Sequence, residues 1–286
     1  MKFLITNLHL NPFRGTENWC YAMGCQLIRM GHMVEIYSPN PNGGEQIFET
    51  AGMKFNVTGG QYDLILDNHN VLDISRFIGP VVHTCHGIID AERPMSNVIN
   101  VAVSERVAQH WKLKYIIKNG IDCCRFNIRT QPNKVLTNVL SLCASDTADD
   151  VLRSICEKRG YNLTTTVGKE VFAVNDLINQ NDLVVGVGRS LYDAMACGRP
   201  VISFDDRWYL SRMHGLGYVT PEMVRNNQDN MTGNGHYLTE DQLYNEFDKY
   251  NPGDGLLNQR FIQAEMNVST KLNEYIDVIC DFTRSQ

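Results

Sequence analysis

The chain has no excess of positive charge. Against 32 acidic side chains stand 26 Lys and Arg, a formal net charge of −6, which supplies no global field for gripping a phosphate polymer and disfavours a protein that coats a nucleic-acid duplex. Paired CxxC elements are absent too. The nine cysteines, an odd number, are scattered from Cys20 to Cys280, so reduced thiols in a cytoplasmic protein are expected rather than a disulfide framework. No stretch approaches the roughly 18 uninterrupted apolar residues of a membrane span. Met1-Lys2-Phe3-Leu4-Ile5-Thr6-Asn7 turns polar at once, which fits no secretory signal. Internal repeats and low-complexity tracts are also missing. What the 286 residues do contain is 43% hydrophobic side chains, enough for the core of one large or two medium domains.

Short apolar segments alternate with helical patterns. Lys2 to Thr6 suits a buried strand, Glu17 to Met30 carries Trp19, Met23, Leu27 and Met30 at helical spacing, and Met33 to Tyr37 is apolar again, which makes one β-α-β unit. Further strands are expected at Leu64 to Leu66, Val81 to Thr84, Val98 to Val103 and Tyr115 to Lys118, with a helix capped by Ser104 between the last two. The first half is therefore expected to be a parallel-sheet α/β domain, 1–130. Arg125 to Lys134 reads as a linker.

A second series follows. Val135 to Leu142, Leu163 to Val167, Val171 to Ala173, Leu183 to Val187 and Pro200 to Phe204 read as strands, and Asp149 to Arg159, Asp176 to Gln180 and Ser190 to Cys197 as helical. Thr239 to Tyr250 reads as an amphipathic helix with a capping Thr, and Asn258 to Phe282 as helix with a possible break. Two Rossmann-like halves in series are expected to offer a cleft for ligands.

Six fragments then fall in one order: Arg14-Gly15-Thr16-Glu17, Gly31-His32, His83-Thr84-Cys85-His86-Gly87, Val103-Ser104-Glu105, Asn119-Gly120-Ile121-Asp122 with Arg125-Phe126, and Ala194-Met195-Ala196-Cys197-Gly198-Arg199-Pro200-Val201. In this the chain resembles α/β glycosyltransferases of the two-domain GT-B fold, as a compact family 4 (group 1) member. The resemblance implies a second domain over 131–265 that binds the nucleotide sugar, an acceptor-side first domain, and a last helix, about 266–286, that returns to brace the first domain. Tyr275, Ile276, Ile279 and Phe282 would be its buried stripe. It also implies transfer with retention and no obligatory metal or other cofactor, and no acidic Asp-x-Asp element stands in a cleft position.

The residues agree with that chemistry in part. A leaving nucleoside diphosphate develops negative charge, so preorganised donors matter more than a strong base. Gly186-Val187-Gly188-Arg189-Ser190 follows a strand and opens a helix, so backbone N–H groups, the helix end and Arg189 can meet a diphosphate. The alternative is a tight turn with Ser190 as N-cap and Arg189 in solvent. The family places two carboxylates eight positions apart here, for the donor sugar and the ribose; the first position is Val185, and Asp193 takes the second. A solvent-exposed helix Asp is the competing view of Asp193. The Arg and Lys that follow the first strand of the second domain are missing, since no basic residue appears after Leu142 until Arg153, leaving Arg189, Lys169 or Arg14 to compensate.

In the first domain, Gly15 admits close backbone approach, Arg14 can reach a phosphate, and Thr16 and Glu17 suit a helix start. By resemblance His86 lies near the donor sugar's hydroxymethyl group. His83 reads as structural, and His9 as a weaker candidate. Structural zinc at His83, Cys85 and His86 is disfavoured, because alternate strand residues point to opposite faces. Asn119-Gly120 reads as a turn, with a direct role for Asn119 implied only by the family. Arg106, Lys112, Lys114, Lys118, Arg125 and Arg129 form a local positive zone, either a solvated face or a surface for an anionic acceptor or membrane. The acceptor stays open among a saccharide, a lipid-linked saccharide and a modified nucleobase. A catalytically silent protein that binds a sugar nucleotide or a partner, and a sugar-nucleotide epimerase, are the other readings.

Overall fold

The computed structural model describes the chain apart from residues 12–13, 56, 74, 168–171, 208–212, 234 and 285–286, and apart from the side chains of 282–284. Lys169, Val171 and the Phe282 side chain therefore lie outside the described residues. The chain divides into two compact units, Met1–Asp122 with Asn267–Gln286, and Cys123–Met266.

In the first unit, β1 (Lys2–Thr6), α1 (Gly15–Arg29), β2 (Met33–Tyr37), α2 (Glu45–Thr50), β3 (Gly60–Gln61), β4 (Leu64–Asn68), β5 (Phe77–Ile78), β6 (Val81–Cys85), β7 (Ile99–Ala102), α3 (Glu105–Trp111) and β8 (Tyr115–Ile116) succeed one another. Six of these strands make a parallel sheet in the order β2-β1-β4-β6-β7-β8. The strand order reverses direction beside β1, between β1 and β4, which is where doubly wound sheets open a crevice at their carboxyl ends. One face of α1 buries Trp19, Met23 and Leu27 on this sheet. Ser104, the residue before α3, accepts from the Val107 N–H at 3.3 Å and caps that helix.

The second unit contains β9 (Asn138–Ser141), α4 (Asp146–Arg159), β10 (Asn162–Thr165), α5 (Val174–Asn179), β11 (Leu183–Gly186), α6 (Arg189–Ala196), β12 (Val201–Asp205), β13 (His214–Val219), α7 (Pro221–Asn226), α8 (Glu240–Glu246) and α9 (Gly253–Glu265). Its sheet order is β10-β9-β11-β12-β13, parallel except for β13. The apolar cluster on one face includes Val139, Leu152, Ile155, Val185, Ile202 and Phe204. At α8 the capping box is complete: Thr239 Oγ1 accepts from Gln242 N–H, and the Gln242 side chain accepts from Thr239 N–H.

Several expectations are corrected. Residues 125–134 are no linker: Arg129 N–H donates to Asn179 Oδ1, Asn133 N–H donates to Asp182, and Arg199 donates to the Thr130 carbonyl, so the segment is sewn onto the second unit. Phe172 and Ala173 lie in a turn, not a strand. Val135 is exposed and the strand begins at Asn138. The helix read from Thr239 to Tyr250 ends at Glu246 and passes into a 3-10 turn. Patterning gave no sign of α2, β13 or α7, which are short or interrupted by glycine.

The break in the last helical stretch falls at 266–267, where the chain leaves the second unit. The helix α10 (Val268–Arg284) then packs on α1 with Val268, Leu272 and Tyr275 buried and Ile276 and Ile279 partly so. Gly120 is the reason it can. A Cβ there would stand 2.9 Å from Val268 Cα, and Val268 N–H donates to the Ile121 carbonyl at 2.9 Å. Asn119-Gly120 is thus a close approach rather than the expected turn, with Ile121 bridged to Asn267.

The Ala194-to-Val201 fragment is explained by packing. Gly198 adopts a φ of +70, and a Cβ on Gly255 would lie 2.0 Å from the Gly198 carbonyl oxygen, so α9 crosses α6 backbone to backbone.

Candidate functional site

Each unit gathers polar side chains at the carboxyl edge of its parallel sheet. In the second unit that edge is the β11–α6 turn. Gly188 begins α6 with φ 62 and ψ −133, a conformation essentially reserved for glycine. Its N–H points to the Met231 carbonyl at 3.3 Å, which also accepts from Ser203 Oγ at 3.3 Å. The 229–233 loop, ordered by the Asn227 and Asp229 side chains, is therefore laid against this turn.

Arg189 is not in solvent. It is 8% exposed, Asp193 is 5% exposed, and Arg189 Nε lies 3.6 Å from Asp193 Oδ2 one helical turn on. Both alternatives that put these side chains on an open face are overturned. Ser190 is the second residue of α6 and half-buried, not its cap. Val185 is fully buried in the apolar cluster, so that position presents no polar group. Gly186 lies under Leu142, with a Cβ there meeting the Leu142 Cβ at 3.4 Å.

Beside this turn lie residues that the sequence reading missed. Asp205, fully buried at the end of β12, accepts from Ala144 N–H at 3.3 Å and from Arg207 Nε at 2.7 Å. Asp149 accepts from Ser141 Oγ at 2.5 Å, and burial moves its carboxyl up against that bond. Burial, followed by the Asp205 charge, drives the Cys143 thiol upward and leaves it inert.

In the first unit, Arg14 and Gly15 start α1 as exposed residues, and a Cβ on Gly15 would meet no atom within 4 Å. Thr16 does not cap the helix. Glu17 Oε2 instead accepts the Arg14 N–H at 3.1 Å, and Glu17 Oε1 accepts from the Asn7 amide at 3.2 Å. His86 follows β6, its Nε2 3.0 Å from Asn68 Oδ1 and its ring edge-on to Trp19 at 5.6 Å. Its N–H donates to Glu92 Oε2 at 2.9 Å, and Glu92 Oε1 sits 3.1 Å from His69 Nε2. Burial alone would raise the Glu92 carboxyl; the His69 hydrogen bond and the charges of His86 and His69 carry it down to about 2.

His83 is fully buried and structural, with Nδ1 2.6 Å from Asp67 Oδ2 and Nε2 3.1 Å from the Arg93 carbonyl. His9, three residues beyond β1, is bridged to Asn40, with its Nδ1 3.3 Å from Asn42 Nδ2. Asn119 is buried beside the α10 crossing. His69 and Glu92 were not picked out in the sequence, although His69 follows the apolar strand β4 as His86 follows β6 and could have been found by the same argument. Among the described residues no group of three His, Cys, Asp or Glu side chains is arranged to hold a metal ion, and no helix is long and apolar enough to cross a membrane.

No protein-family profile and no curated protein sequence matches this chain. Solved structures do. A glycosyltransferase from Rickettsia africae ESF-5 superposes with a TM-score of 0.65 at 11% identity, over 100% of this chain and 99% of that one. AviGT4, a glycosyltransferase involved in avilamycin A biosynthesis, gives 0.62 at 12% identity, over 100% and 98%. An alpha-glucosyltransferase in complex with UDP and a 13-mer DNA containing a HMU base gives 0.58 at 8% identity, over 98% and 99%. The chain has the GT-B fold over its whole length.

Proposed function

We propose that the protein is a glycosyltransferase that moves a sugar from a nucleotide-sugar donor to an acceptor, with retention of anomeric configuration. The observation that carries this reading is the full-length likeness to glycosyltransferase structures, together with a polar carboxyl edge in each unit. The second unit takes the nucleotide: the Gly186–Ser190 turn receives the diphosphate, Arg189 supplies the cation, and Asp193 accepts from the ribose diol. The first unit takes the acceptor; Arg14 and Gly15 are assigned to donor binding, and His86 and Asn119 to catalysis. Attack comes from the face that the nucleotide leaves, and the departing phosphate takes the acceptor proton. Its acceptor is a saccharide, a lipid-linked saccharide or a modified nucleobase; the last is what one structural neighbour is seen with.

One observation favours a second reading. Arg189 Nε lies 3.6 Å from Oδ2 of the buried Asp193, and a pair so engaged suits a protein that binds a sugar nucleotide without transferring from it. Thermal stabilisation by a panel of nucleoside diphosphates and their sugar conjugates tests both, since a ligand of the native state raises stability with the logarithm of its excess over Kd. Stabilisation by one nucleotide, followed by turnover with an acceptor, supports the transferase. Stabilisation without turnover selects the silent reading, and no shift with any member removes both.

A further inference from the structure

A chain of hydrogen bonds runs along the carboxyl edge of the first unit, across the β1–β4 crevice, and joins the Arg14–Gly15 loop to the His86–Gly87 loop. Arg14 N–H donates to Glu17 Oε2, and the Asn7 amide to Glu17 Oε1. His69 Nδ1 lies 2.9 Å from Asn7 Oδ1, and His69 Nε2 lies 3.1 Å from Glu92 Oε1, whose other oxygen accepts the His86 N–H.

Donors and acceptors along it can be assigned. The Asn7 amide nitrogen gives one hydrogen to the His9 carbonyl at 2.6 Å and one to Glu17, so oxygen is the atom facing His69; turning the amide over would set its oxygen against two acceptors. Nδ1 of His69 must then carry a hydrogen. Nε2 faces a carboxylate and must carry one as well. We infer that His69 is held as an imidazolium, and that this cation is the positioning residue that ties the Arg14–Gly15 loop to the His86–Gly87 loop, a role that rests on the transferase reading of those loops.

The surroundings agree. Facing His69 are Glu92 from the 3-10 turn Asp90–Glu92, Glu17 from α1 and Asp67 from β4, while His86 and His83 share those carboxylates. Burial disfavours the His69 cation, but the bond to Glu92 and these charges raise it above the ordinary value. A φ of 62, uncommon for a residue with a side chain, sets the ring between its two acceptors. A neutral imidazole has one N–H and can serve only one of them, so losing the proton cuts the chain at Asn7 or at Glu92.

The test is 15N NMR of the protein labelled at its eight histidines and its glycines, with His69→Gln assigning the His69 ring. Both ring nitrogens should be protonated at pH 7, the midpoint should lie above the ordinary 6.5, and the Gly15 and Gly87 amide signals should move with that midpoint. A single protonated nitrogen at pH 7, or glycine signals that ignore the His69 titration, would overturn the inference. Glu92→Gln should lower the midpoint, and it carries the test if His69→Gln does not fold. These readouts need no ligand, so failure to bind any sugar nucleotide counts against the transferase reading alone. With turnover in hand, His69→Gln should lower kcat roughly tenfold or more and remove the fall in activity on the alkaline side. An unchanged pH profile in that variant refutes the positioning role.

Discussion

The guanidinium of Arg29 holds both carboxylate oxygens of Asp122, at 2.9 and 2.7 Å, and so fixes the last turn of α1 to the segment against which α10 returns. Asp122 is almost fully buried while Arg29 is about one third exposed, so the pair is a half-buried, bidentate one. Asp122→Ala should lower stability by about 1–3 kcal/mol in chemical denaturation, and Arg29→Lys should recover only part of the difference. An Asp122→Ala protein as stable as wild type would show that the pair contributes nothing net.

Arg199 makes a stronger structural prediction. Fully buried, it donates to the carbonyls of Ile178, Thr130 and Asn179, while its own carbonyl accepts from the buried Asn258 amide. Replacing it with Met removes these charge-assisted hydrogen bonds from a fully buried position, which should cost about 2–5 kcal/mol. Retained nucleotide binding by the folded remainder would separate this latch from the site; a variant with wild-type stability would refute it.

Acid should act on the first unit through Glu92. Its folded-state value of about 2 lies below the ordinary 4.5, so it contributes stability that is present above about pH 4.5 and is lost as the pH falls towards 2. The full contribution is on the order of 3 kcal/mol. Stability curves from pH 5 down to pH 2.5 should be flatter in Glu92→Gln than in wild type, and parallel curves would contradict the assignment.

Gly188→Ala should weaken both fold and binding. The backbone at φ 62 and ψ −133 excludes a Cβ at a cost of about 1–3 kcal/mol. Because the strain sits at the start of α6, stabilisation by a nucleoside diphosphate should fall further than by the parent nucleoside. An equal loss for the two would place the phosphates elsewhere.

Arg189→Ala decides the diphosphate assignment directly. Binding of the nucleotide should drop by about tenfold or more, and unchanged affinity would leave the Arg189–Asp193 pair as a helix ion pair only.

Much of the fold could be read along the chain, because its signals are local. Period-two and unbroken apolar runs marked β1, β4, β6, β11 and β12, Trp19, Met23 and Leu27 marked the inner face of α1, and Ser104 and Thr239 marked helix starts that the hydrogen bonds reproduce. What stayed hidden were elements with weak patterns, such as β13 with its two glycines, and roles that depend on a partner far away in sequence. Arg129 and Thr130 look like linker residues until Asn179 and Arg199 are brought beside them.

The site shows the same division. That polar residues would follow apolar strands at Gly186–Ser190 and at His86 is a property of the sequence alone, since a parallel strand must end and its carboxyl end is where the chain turns polar. Which of those side chains engage each other was decided only by the tertiary structure. Arg189 meets Asp193 because both are buried one helical turn apart, and Gly120 is needed because Val268 passes over it. His69 meets Asn7 and Glu92 because β1 and β4 are neighbours in the sheet although 62 residues separate His69 from Asn7. Hydrogen-bonding capacity belongs to a residue and is written in the sequence; its satisfaction belongs to a pair, and only the folded chain supplies the partner.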